Sequence, residues 1–232
     1  MSKNSKIIAV SFGLKKYDVK KELLKVLSKE KTLELIKKTG PTKLRRSNLS
    51  QNTLNLAIKA FKNLNLSQEK KNKINTIIFV TETPIYSFPG NGFLFASELN
   101  FKNNLSIYDL NSGCTGFVDA LNLAKNFDGV TLIICSETYT KYLKKFNRAT
   151  STLFADAATA FFYDKKFKVI KYNSFFKKNS YQDLCATNRS NLIMNGSSVF
   201  NFVTSDVIPG LKEFLKKVKS NKIKKLYIHQ AS

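Results

Sequence analysis

Asp109 to Leu121 reads DLNSGCTGFVDAL, and the organisation of the chain follows from it. A β-rich run, SIYDL, leads in, and a helix-spaced run from Thr115 to Asn126 leads out. Asn111 to Gly113 is therefore a turn that puts Cys114 at the start of a helix. At a helix N-terminus the unpaired N–H groups and the positive dipole end stabilise a thiolate, the reactive form of cysteine. Gly113, Thr115 and Gly116 are small enough to leave room for a substrate carbonyl beside the sulfur. A free cysteine is more often a small buried hydrophobe. The residues alone leave Cys114 open between nucleophile and packing, whereas Cys135, inside a strand-like run, and Cys185 are read as packing.

Outward from this turn, short β-rich runs alternate with amphipathic stretches, the pattern of an α/β protein. Upstream, KIIAVSFG predicts a first strand, and YDVKKELLKVLSKEKTLELIKKTG has helical spacing that stops at Gly40-Pro41. Ser50 to Leu66 predicts a second helix. INTIIFVTET, Ile74 to Thr83, is a β-branched run suited to a strand buried on both faces. NGFLFASELN predicts a further helix. Downstream, VTLIICSET and ATAFFYD predict two more strands. A new run, FKVIKYNSFF, begins near Lys165, which places a boundary between residues 1–165 and 166–232. The later helical stretch is expected to kink at Pro209-Gly210, and KKLYIHQAS predicts a last strand.

The chain has 232 residues, 43% of them hydrophobic, enough to bury a core without disulfides or metal. No apolar run approaches the roughly 18 residues that span a bilayer, and the first residues carry too short an apolar stretch for a secretion signal. A cytoplasmic location with no membrane association is the expectation. Three cysteines and one histidine give neither a disulfide framework nor a zinc site. The formal charge of +23 would attract nucleic acid, but the lysines run along the whole length and no nucleic-acid motif accompanies them. A basic binding protein stays open as an alternative, with a Lys- and Asn-rich proteome as the plainer explanation.

Several blocks together, DLNSGCTGF, LFADAATAFF (Leu153 to Phe162), MNGSSVF (Met194 to Phe200) and HQAS, resemble the β-ketoacyl-acyl carrier protein synthase III family in content, order and spacing. KKTGPTKLRR and PIYSFPG match it as well. The resemblance implies an α/β thiolase-like fold, with a complete N-terminal half and an incomplete C-terminal half of an αβαβα sandwich. It further implies acyl-CoA and acyl carrier protein as partners, a homodimer when full length, and no cofactor. The implied reaction is a decarboxylating Claisen condensation of an acyl-CoA primer with malonyl-acyl carrier protein. Cys114 takes the position of the acylated nucleophile and His229 that of the active-site histidine. Lys38, Phe88, Arg148, Gly196, Phe200 and Ala231 fall on CoA, pantetheine or acyl positions, Phe88 on one that reaches across the dimer. Gln230 falls on an acyl carrier protein contact.

The departures from the family are as specific as the matches. Glu34 stands where relatives have a tryptophan that stacks on adenine, and a carboxylate there repels nucleotide phosphates. The family's glycine-rich block is here ADAATA, Ala155 to Ala160, with bulkier residues where backbones pack closely, and the segment from Arg46 to Ser50 is short. Relatives continue past the HQA histidine to a catalytic asparagine and an oxyanion-hole glycine. The expectation is thus a C-terminally truncated chain, poorly stable alone, in which condensation is absent while acylation of Cys114 survives at a low rate. The alternatives are a non-condensing homologue acting as a scaffold, or an acyltransferase for a specialised metabolite or surface decoration.

Overall fold

A computed structural model describes residues 7–10, 14–143, 147, 150–164, 171–186, 191–218, 223 and 225–229. In chain order, β1 (Ile7–Val10) and β2 (Lys15–Asp18) precede α1 (Val19–Leu23), α2 (Lys29–Thr39), β3 (Lys43–Arg46), α3 (Thr53–Lys62) and α4 (Gln68–Asn72). Strands and helices then alternate through β4 (Ile74–Val80), α5 (Asn91–Glu98), β5 (Ser106–Leu110), α6 (Gly116–Ala124) and β6 (Val130–Glu137), followed by β7 (Ala157–Asp164). The last elements are β8 (Leu184–Cys185), β9 (Ile193–Met194), α7 (Gly196–Phe202) and α8 (Ile208–Lys217). The chain divides into two units, each drawn from separate stretches. The first takes residues 1–17, 45–140 and 155–170, and the second takes 18–44, 141–154 and 171–232.

The first unit is built on a five-stranded sheet in the order β1-β7-β6-β4-β5. β4 pairs parallel with both β5 and β6, while β7 runs antiparallel to β6 and β1. Because successive strand residues point to opposite faces, β4 feeds two cores at once. Ile77 and Phe79 pack with Leu56 and Phe61 of α3 and Phe95 of α5. Ile78 and Val80 pack with Ala120 and Ala124 of α6 on the other face. A sheet covered on both sides explains why β4 and β6 read as unbroken apolar runs. In β7 the buried Ala158 and Ala160 take the places read above as crowded, without breaking the ladder to β6.

Gly116 opens α6 where helix and sheet meet most closely. A Cβ there would stand 2.3 Å from Cγ1 of Val80. Gly116→Ala is expected to destabilise this unit by about 1–3 kcal/mol through overpacking, read as a lower urea midpoint. An unchanged midpoint would contradict so close an approach.

The second unit contains α1, α2, the β8-β9 pair, α7 and α8. The single helical stretch read from Tyr17 onward is split, with Tyr17 in β2. Ser28 accepts the N–H of Lys31 and opens α2 as a new helix, so the residues between α1 and α2 leave the helical path. The predicted stop is in place, with Gly40 at the C-terminus of α2 at φ +92°, a left-handed conformation suited to glycine. Asn195 caps α7 by accepting the N–H of Ser198. A π-helical turn, Val203–Val207, then joins α7 to α8. Pro209 falls just after this π-helical turn, whose wider path takes the place of the expected kink.

The strand predicted for the end of the chain is not formed by its described residues, 225–229; residues 224 and 230–232 lie outside the described residues. Leu226 to His229 have no regular structure, and Tyr227 is 81% exposed. A strand needs a hydrogen-bonded neighbour, and the only strands described within residues 171–229 are β8 and β9, which pair with each other. Of the FKVIKYNSFF run, residues 165–170 lie outside the described residues, and Lys171 to Phe176 have no regular structure. Among the described residues, no helix is long and apolar enough to cross a membrane.

Candidate active site

The parallel strands β5, β4 and β6 end side by side, and the chain leaves them in different directions. After β4 it enters α5 on one face of the sheet, and after β5 it enters α6 on the other. A crevice opens outside the carboxyl ends of two adjacent strands whose connections diverge in this way, a common ligand position in α/β sheets. Glu82 follows β4, Cys114 follows β5, and Glu137 ends β6.

Cys114 sits in a 3-10 turn, Gly113–Thr115, one turn ahead of α6. Gly113 adopts φ +52°, and a Cβ on it would lie 2.7 Å from Oε1 of Glu82. Glycine suits this positive φ, and the turn lies against that carboxylate. Cys114 is an exposed residue, yet its surroundings do not favour the thiolate. Desolvation is the largest influence and pushes the thiol above its ordinary value, the Glu82 and Glu137 charges push the same way, and only its own backbone amide acts against them. These influences oppose the helix-start effect expected from sequence.

A hydroxyl network supports the turn from below. Glu137 accepts the backbone N–H of Glu82 at 2.7 Å and the hydroxyls of Thr83 at 2.6 Å and Thr81 at 3.3 Å. Burial outweighs these bonds and raises its pKa to about 7. Thr53, first residue of α3, donates to the carbonyl of Thr83 at 2.7 Å, and Ser136 donates to the carbonyl of Thr53 at 2.7 Å. Asp109 accepts the N–H of Gly92 and so holds the start of α5 against β5. Burial raises the Asp109 pKa, partly offset by that bond and one from Asn91. Asp156, buried before β7, accepts from the backbone and hydroxyl of both Ser47 and Thr140, which fixes the short segment after Arg46.

The other residues predicted for the site are placed as follows. Phe88 belongs to the first unit, on the loop between β4 and α5, and is 86% exposed. Lys38, Gly196, Phe200 and His229 belong to the second unit. Lys38 is committed to Glu34 one turn back at 2.6 Å, an exposed pair that holds the Glu34 carboxyl below its usual range. The two line a shallow groove with Leu27, Lys31 and Leu35. The repulsion expected from Glu34 is thereby offset locally by the lysine expected to attract the same phosphates. Gly196 opens α7 with open space where a side chain would point. Phe200 and His229 are exposed. Arg148, Gln230 and Ala231 lie outside the described residues. Cys135 packs, partly buried, against the core that contains Ile78 and Val80, and burial raises its thiol pKa to about 12. No group of His, Cys, Asp and Glu side chains able to hold a metal occurs among the described residues.

The family profile of 3-oxoacyl-[acyl-carrier-protein] synthase III matches residues 108–176, the segment that carries Cys114. β-Ketoacyl-[acyl-carrier-protein] synthase III of Clostridium perfringens strain SM101 is 29% identical over 254 aligned residues, covering 99% of this chain and 78% of the relative. Over these residues the chain is similar to the β-ketoacyl-acyl carrier protein synthase III family. Solved structures agree on the fold. A 3-oxoacyl-(acyl-carrier protein) synthase from Burkholderia xenovorans LB400 superposes with a TM-score of 0.78 at 20% identity, covering 92% of this chain and 69% of that one. A second structure, titled 3-oxoacyl-(acyl-carrier-protein) synthase III, gives 0.77 at the same identity, covering 93% and 74%. The fold is thus thiolase-like, and the family is one of condensing enzymes.

Around Cys114, Glu82 and Glu137 are the residues that sequence reading missed. A signal for them exists. VTET (Val80 to Thr83) and CSET (Cys135 to Thr138) end two parallel strands whose register pairs Val80 with Cys135, so equivalent glutamates arrive side by side.

Proposed function

We propose that this chain is an acyltransferase of fatty-acid or related acyl-chain biosynthesis that acts through Cys114. The observation that carries the reading is the exposed thiol on a turn at the carboxyl end of a parallel strand, inside the matched segment. The Cys114 sulfur attacks the carbonyl of an acyl-CoA primer, the carbon–sulfur bond to CoA breaks, and CoA leaves as its thiol. Malonyl-acyl carrier protein then loses carbon dioxide, the electron pair left behind attacks the acyl-Cys114 carbonyl, and the Cys114 thiolate leaves. The product is 3-oxoacyl-acyl carrier protein. His229 donates a hydrogen bond to the malonyl thioester oxygen, where charge accumulates during decarboxylation. Lys38, Arg148, Gly196, Phe200 and Ala231 bind CoA and pantetheine, and Gln230 meets acyl carrier protein. Phe88, exposed on its loop, reaches a second copy of the chain. The N-terminal half to residue 165 holds the nucleophile, and the half from 166 holds the histidine. All groups that react belong to substrates and side chains, so the chemistry uses no cofactor.

Mixing the purified chain with short acyl-CoAs is expected to release free CoA thiol, and Cys114→Ala should abolish the release. Adding malonyl-acyl carrier protein to acylated chain tests the second half-reaction through carbon dioxide release. CoA release that persists in the alanine variant would sink this reading.

A further inference from the structure

A thiol held protonated is a poor nucleophile, so transfer through Cys114 requires a nearby proton acceptor. Two carboxylates influence Cys114, and their surroundings differ. Both oxygens of Glu137 are occupied by the Glu82 amide and the Thr81 and Thr83 hydroxyls. The Glu82 carboxylate accepts no hydrogen bond among the described residues. It is half-buried against Gly113, the residue joined to Cys114, with Oε1 2.7 Å from the position a Gly113 Cβ would take. A half-buried carboxylate with free lone pairs, packed against the residue that precedes the thiol, has unmet acceptor capacity.

We propose that Glu82 is the proton carrier of acyl transfer, accepting the Cys114 proton as sulfur bonds to the acyl carbon and handing it to the departing CoA sulfur. The exchange balances: one carbon–sulfur bond forms, one breaks, and the proton passes from one thiol to the other through the carboxylate. Burial raises the Glu82 pKa, which makes it a stronger base for this task than an ordinary glutamate. The proposal rests on the acyltransferase reading above.

Glu82→Gln separates proton transfer from simple electrostatics, because the two act in opposite directions. Loss of a neighbouring negative charge eases thiolate formation, so alkylation of Cys114 by iodoacetamide should reach half-maximal rate at lower pH than in the parent. Loss of the acceptor should slow acylation by short acyl-CoAs by about 100-fold or more. Glu82→Asp, which keeps the carboxylate, should recover part of that rate. Acylation of Glu82→Gln as fast as the parent overturns the proposal. So does a parallel loss of alkylation and acylation, which marks a disturbed turn. A parent chain that takes no acyl group contradicts the acyltransferase reading itself, and the parent reaction alone distinguishes that failure.

Discussion

Phe95→Ala is expected to destabilise the first unit by about 3–5 kcal/mol, the range for emptying a buried aromatic site. Phe95 is fully buried on α5, with ring centroids 5.7 Å from Phe61 and 5.9 Å from Phe79, both edge-to-face, and 6.1 Å from the tilted ring of Phe101. It therefore joins α3, α5 and β4 at one point, and neighbours already held by the sheet cannot close the gap. Losing these edge-to-face pairs adds to the lost burial. Denaturant unfolding followed by circular dichroism reads the effect. A loss below about 1 kcal/mol would contradict the packing described for this face.

Glu137 should make stability depend on pH in a direction opposite to that of an ion-paired carboxylate. Its pKa rises from an ordinary 4.5 to about 7 in the folded chain, chiefly by burial. The folded state then holds this proton more tightly than the unfolded state. The stabilisation is fully present below about pH 4.5 and is lost as pH climbs through about 7. The loss amounts to about 3 kcal/mol for one such group. Glu137→Gln keeps an oxygen for the Glu82 amide and removes the titration. Unfolding free energies at pH 5 and pH 8 should differ by about 2.5 kcal/mol more in the parent than in the variant. Equal differences would show that Glu137 is not desolvated beneath the turn.

The parts of the fold that follow from local pattern could be read directly from residues. β4 and β6 are unbroken apolar runs because helices cover both faces, and α5 and α6 show their spacing plainly. Helix ends were set by interactions that periodicity does not register. The Ser28 cap restarted a helix inside an apparently continuous stretch. The final strand failed for the same kind of reason: LYIH has β-rich composition, but pairing is a property of a neighbour, not of the segment.

At the site, Cys114 was visible from its turn, whereas its electrostatics were not. The sequence places the thiol at a helix start, and only the approach of Gly113 to Glu82 shows that a negative charge and desolvation oppose the dipole. Glu34 and Lys38 carry the same lesson. Read separately, one repels and the other attracts phosphate, but one helical turn apart they form a pair.

The central claim is that Cys114 accepts an acyl group. Intact-mass spectrometry of the parent chain after incubation with short acyl-CoAs tests it most directly. A single acyl mass gain is predicted, mapping to the peptide that contains Cys114 and absent from Cys114→Ala. No adduct with any short acyl-CoA, or an adduct that survives in the alanine variant, would contradict the account.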